Sequence, residues 1–113
     1  MPTPEIPISE AFIIVEIIEF VPNSILIKTI LKKSFGNISL MSLDSGEALI
    51  EKISPFDSFI QIIEGEAEIV IDSLPKRLRK GQGIIIPAHR SQIIRAKKRF
   101  KMVLTIIKNG YEA

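Results

Sequence analysis

One histidine, His89, and no cysteine set the first limit on what this chain of 113 residues can catalyse. A two-histidine-one-carboxylate iron site and a three-histidine zinc or manganese site both need more imidazoles than the sequence has. Zinc–thiolate sites, thiol nucleophiles and disulfides are excluded with them. Magnesium or calcium held by carboxylates alone would need an acidic cluster, and none stands out. Ser54, Asp57 and His89 are the residue types of a hydrolase triad, but no nucleophile elbow surrounds the serine. Gly81-Gln82-Gly83 opens no dinucleotide loop, because three isoleucines and a proline follow where a helix would have to begin. Basic residues crowd the stretches 76–80 and 95–101, which could track phosphates. Glu64, Glu66, Glu68 and Asp72 stand close by, and Phe100 is the lone aromatic among the bases. These stretches are therefore expected to be solvated hairpin loops, with no nucleic-acid partner.

The elements that must position such residues are legible in the composition. Hydrophobic residues make up 46% and charged residues 25% of the chain, with a formal net charge of +2. That is globular composition, at a length suited to one domain with its own core. Isoleucine dominates the apolar set, and β-branched side chains pack well on pleated sheets. Nothing resembles a secretory signal, and the longest apolar runs are far too short to cross a bilayer, so a cytoplasmic location away from membranes is expected.

Pro2, Pro4 and Pro7 predict an extended arm at the start of the chain. The stretch 9–20 is ambiguous: Ser9 could cap a short helix, yet residues 12–15 read equally well as a strand. Short strands are predicted at 25–31, 37–43, 48–53, 59–63, 67–71, 76–79, 84–86, 92–96 and 101–108. Turn residues separate them, among them Ser34-Phe35-Gly36, Asp44-Ser45-Gly46, Glu64-Gly65-Glu66, Asp72-Ser73-Leu74-Pro75 and Lys80-Gly81-Gln82-Gly83. Many short strands at this spacing imply a sandwich or barrel. The expected division is an arm over 1–20, carrying an exchanged strand or a short helix, and a single all-β barrel over 21–113.

Two segments, 46–72 and 81–96, resemble the two motifs of the cupin superfamily. Gly46 and Gly65 stand where the glycines of the first motif stand, and Gly81 and Pro87 keep the spacing of the second. Residues 98–107 look like the closing strand of small single-domain cupins. The resemblance covers roughly 25–108 and implies a double-stranded β-helix, a jelly-roll barrel. It also implies where metal ligands would lie. The paired histidines of the first motif fall on Lys52 and Ser54, its carboxylate or amide on Ser58, and the second motif's histidine on Gln92. His89 takes the place of a glycine. None of the four ligand positions carries an imidazole or a carboxylate, so the resemblance is to a cupin with degenerate metal motifs and no cofactor.

What remains at those positions is a polar lining: Lys52, Ser54, Asp57, Ser58, His89 and Gln92 are the candidate pocket residues. The bland readings are a snorkelling lysine, a turn aspartate after Pro55 and a loop histidine. The functional reading is a small-molecule binding or sensing module, in which Lys52 favours a small anionic or carbonyl-bearing ligand. The alternative is a metal-independent isomerase or lyase, with a desolvated Lys52 as base. Small cupins commonly pair through exchanged N-terminal strands, which implies a homodimer as the partner.

Overall fold

A computed structural model describes residues 6–51 and 53–108. Among these residues nine antiparallel strands follow a 3-10 turn: β1 (Ile25–Lys33), β2 (Gly36–Leu43), β3 (Ala48–Glu51), β4 (Asp57–Glu64), β5 (Glu66–Ile71), β6 (Leu74–Arg79), β7 (Gly83–Ile86), β8 (Gln92–Arg95) and β9 (Phe100–Ile107). They form a five-stranded sheet in the order β1-β2-β9-β4-β7 and a four-stranded sheet in the order β3-β8-β5-β6. All nine expected strands are present. The chain crosses between sheets at Gly65, a single residue separating β4 from β5.

Alternation decides which side chains meet between the sheets. On β4, Ser58, Ile60 and Ile62 are buried while Asp57, Phe59 and Gln61 are exposed. Ala67 and Ile69 on β5 and Gln92 and Ile94 on β8 face them. Ile60, Ile62, Ile69, Phe100 and Met102 are completely shielded from solvent in the shared core. Each such side chain contributes about 1.5–3 kcal/mol on leaving water.

Two turn segments differ from the sequence expectation. Asp72-Ser73-Leu74-Pro75 was expected to break the chain, but Leu74 and Pro75 belong to β6 and only Asp72 and Ser73 turn. Both turn residues have positive φ, 48° and 69°, as the tightest right-twisting hairpin demands. Pro75 is tolerated because β6 is an edge strand whose outer side needs no amide donor. Likewise Gly36 opens β2, leaving only Ser34 and Phe35 in the β1–β2 turn.

Residues 39–43 of β2 are buried without alternation. Met41 and Leu43 enter the barrel core, whereas Leu40 and Ser42 point to the opposite face. That outer face is covered by the N-terminal arm. The arm forms no strand at 12–15, and Ser9 caps no helix; Ile14–Glu16 makes a single 3-10 turn without a side-chain cap. Its carbonyls are met instead by side chains rising from three adjacent strands. Lys101 Nζ donates to the Val15 carbonyl at 2.6 Å, Lys28 Nζ to Ile17 at 3.2 Å, and Ser42 Oγ to Glu19 at 2.8 Å. These three bonds satisfy arm carbonyls without a strand ladder. No helix of the described residues is long and apolar enough to cross a membrane.

Candidate functional site

Strand ends fix the site. The β3–β4 connection and the β7–β8 connection, 87–91, emerge at one end of the barrel, together with the β1–β2 and β5–β6 hairpins. At this mouth the register aligns Asn37, Ile106, Ser58 and Ile86 across the larger sheet. The facing row of the smaller sheet runs Glu51, Gln92, Ile71. Ser58 and Gln92 are each only 9% exposed. Two of the expected pocket residues thus lie inside the mouth, as their alternation requires.

The buried Gln92 Oε1 has no hydrogen-bond partner among the described residues. An amide oxygen in that condition costs about 1–3 kcal/mol relative to a paired one, so it marks either a deficit or a place for a donor. Asn37, which sequence reasoning did not single out, reaches Ser39 Oγ at 3.4 Å from the same inner face. The signal for it was available: 37, 39, 41 and 43 share one face of β2, and two of them are polar.

Ser54, Asp57 and His89 serve a different purpose. Asp57 Oδ1 accepts the Ala88 amide at 2.7 Å. The His89 amide donates to the Ser54 carbonyl at 2.7 Å, and Ser54 Oγ accepts the Phe56 amide at 3.1 Å. These bonds staple the two mouth loops to each other. The three residues form no triad, because the serine and aspartate oxygens are held by backbone amides and no described hydrogen bond reaches the His89 imidazole. His89 is exposed and sits at φ 65°, a left-handed conformation that accounts for glycine at the matching cupin position. Lys52 lies outside the described residues.

Below the mouth the barrel is closed by its own side chains. Among the described residues, concave regions lie between the arm and β1, about 780 Å³, and at the opposite end of the barrel, about 820 Å³, with a smaller one beside the latter. Ser58 and Gln92 form a polar shelf at the mouth.

Solved structures with this architecture exist. A conserved protein of unknown function from Streptococcus pyogenes superposes with a TM-score of 0.88 at 28% identity, covering 98% of this chain and 96% of that one. A cupin superfamily protein from Desulfitobacterium hafniense gives 0.86 at 27% identity, covering 96% and 100%. The chain folds as a cupin. An RmlC-like cupin with a double-stranded β-helix from Methanocaldococcus jannaschii, at 16% identity and a TM-score of 0.69, shares the fold alone. No family model matches the sequence, and no curated protein matches it.

Whether this cupin could hold a metal is a question of donor chemistry. At the matching ligand positions the described side chains are two hydroxyls and a neutral carboxamide, and the Ser54 hydroxyl is already engaged. No three His, Cys, Asp or Glu side chains converge among the described residues. Hydroxyls and a single amide do not fit a transition metal that selects imidazole and carboxylate.

Proposed function

We propose that this cupin is a metal-independent binding or sensing module for a small molecule carrying a hydroxyl next to an anionic or carbonyl group. The unpartnered Gln92 Oε1 supports this reading. A ligand hydroxyl donates to it and accepts from Ser58, and a neighbouring charged or carbonyl group points out of the mouth. The catalytic alternative depends on Lys52 as base, and Asp57, the acid that would pair with it, is committed to the Ala88 amide.

The test is a thermal-shift panel of hydroxy acids, sugar acids and neutral sugars on the wild type and Gln92→Leu. At least one hydroxylated acid should raise the melting temperature of the wild type and leave Gln92→Leu unmoved. In the absence of ligand, Gln92→Leu should itself be more stable by about 1 kcal/mol, since it removes an unmet buried acceptor. A panel with no stabiliser, or equal shifts in both proteins, overturns the reading. So does one tightly held transition metal per chain by elemental analysis.

The same reading takes the protein as a cytoplasmic homodimer, its partner a second copy of this chain. Ile8, Ile27 and Leu31 are 91%, 64% and 50% exposed around the concavity between arm and β1, where Glu16 and Glu19 lie opposite Lys28 and Lys32. Apolar groups flanked by both charge signs are self-complementary about a two-fold axis. Ile27→Lys should give a monomer by light scattering; an unchanged mass would place the interface elsewhere.

A further inference from the structure

The end of the barrel opposite Gln92 collects the β2–β3, β4–β5, β6–β7 and β8–β9 connections around an open concavity of about 820 Å³. Its cations are Arg79, Lys80, Lys98 and Arg99, and its acids are Asp44 and Glu66. Four cations against two carboxylates leave an excess of +2, and both carboxylates have other partners. Arg77 Nε meets Glu66 from outside at 3.1 Å, and Asp44 Oδ2 accepts the Asn23 amide at 2.7 Å. The Asn23 amide, then that of Ser45, and last the charge of Arg99 hold the Asp44 carboxyl below its usual range. Arg77, Arg90, Arg95, Lys97 and Lys101 all form salt bridges. Among the described residues, none of the four cations in the concavity does.

The frame that carries them is rigid. Ala96 is tied to two successive residues of the β2–β3 loop, Gly46 N donating to Ala96 O at 2.6 Å and Ala96 N to Glu47 O at 2.9 Å. Gln82 closes the β6–β7 loop, its Oε1 accepting the Arg79 amide at 2.8 Å. The Arg99 amide donates to Ser45 Oγ at 3.2 Å, and its guanidinium stacks on Phe20 at 4.7 Å. Like charges gathered on a fixed frame repel one another, and a multivalent anion relieves that repulsion. Guanidinium forks match phosphate oxygens two at a time, while lysines add point charges.

We infer that this end of the barrel binds a small anion bearing two or more phosphate groups, with Arg79 and Arg99 as forks and Lys80 and Lys98 as flanking charges. The size is that of a small-ligand site, about 300–1,000 Å³. No aromatic residue lines it among the described residues, so it lacks the stacking platform that a nucleic-acid strand uses. The site is separate from the Gln92 shelf and does not depend on it.

Inorganic triphosphate titrated calorimetrically into the full chain at low salt tests this. The wild type should bind saturably, and about 200 mM salt should weaken the affinity markedly. Lys80→Glu combined with Lys98→Glu should weaken it at least about ten-fold with little change in melting temperature, because both side chains are exposed. Gln92→Leu should bind like the wild type. Absence of saturable binding, or equal affinity in the double variant, overturns the inference. Tighter binding of a short single-stranded oligonucleotide, or flotation with anionic vesicles, would overturn it in favour of a polyanion surface.

Discussion

Gly65→Ala is expected to destabilise this cupin by about 3 kcal/mol or more, the sum of a left-handed residue and a backbone collision. Gly65 turns the chain from one sheet to the other at φ 79°. A Cβ there would lie 2.6 Å from the Arg99 carbonyl oxygen and 3.0 Å from Phe100 Cβ. Neither neighbour is free to move. Phe100 is completely buried in the core, and the Arg99 amide is bonded to Ser45. Any relief lifts β9 out of its seat. Gly46→Ala is the control, for Gly46 has a similar φ of 88° with nothing within 4 Å of its would-be Cβ. That variant should lose only the conformational part, about 1 kcal/mol. Urea unfolding of the two proteins measures the difference. Equal losses would mean the close approach to Arg99 carries no energy. Should Gly65→Ala fail to fold while Gly46→Ala folds normally, the prediction is met in its strongest form.

Lys101→Ala should cost about 2–3 kcal/mol and release the arm, because it removes a charged hydrogen bond, stem packing and a cation–π contact together. Lys101 is 7% exposed, with its ammonium 2.6 Å from the Val15 carbonyl and 5.0 Å from the centre of the Phe20 ring. Glu64 Oε1 stands 3.8 Å away, so the charge is balanced. Lys101→Met retains the stem and should keep the barrel folded while loosening the arm alone. Limited digestion by a glutamate-specific protease, cutting after Glu16 and Glu19, reads that out. Cleavage should be fast in Lys101→Met and slow in the wild type. Equal rates would show that Lys28 and Ser42 suffice to hold the arm.

The mouth and the opposite end show how far sequence reasoning reached. Ser58 and Gln92 were legible because they fall on ligand positions of the cupin motifs, which that resemblance places on the inward side of strands. Ser54, Asp57 and His89 were named with them, yet they staple loops through hydrogen bonds of 2.7 Å to or between backbone groups more than thirty residues apart. No local pattern specifies which carbonyl a loop amide will meet. The basic stretches were visible too and were read as separate solvated loops. Their convergence with Asp44 and Gly65 follows from four connections leaving the barrel at the same end, a property of sheet order rather than of spacing. The arm was the hardest case. Residues 12–15 are apolar enough for a strand, but the arm crosses β1, β2 and β9, whose Lys28, Ser42 and Lys101 side chains take the carbonyls of Ile17, Glu19 and Val15.

By itself the sequence determined the nine strands and the absence of a histidine cage. Each is a matter of residue type or of local periodicity, and side-chain chemistry and backbone stereochemistry act over a few residues. Tertiary structure alone decided that Gln92 Oε1 finds no partner among the described residues, that the mouth loops are stapled, and that four cations with no salt bridge among those residues share one concavity. Those outcomes depend on which distant segments meet, and that is settled only when two sheets close on a common core.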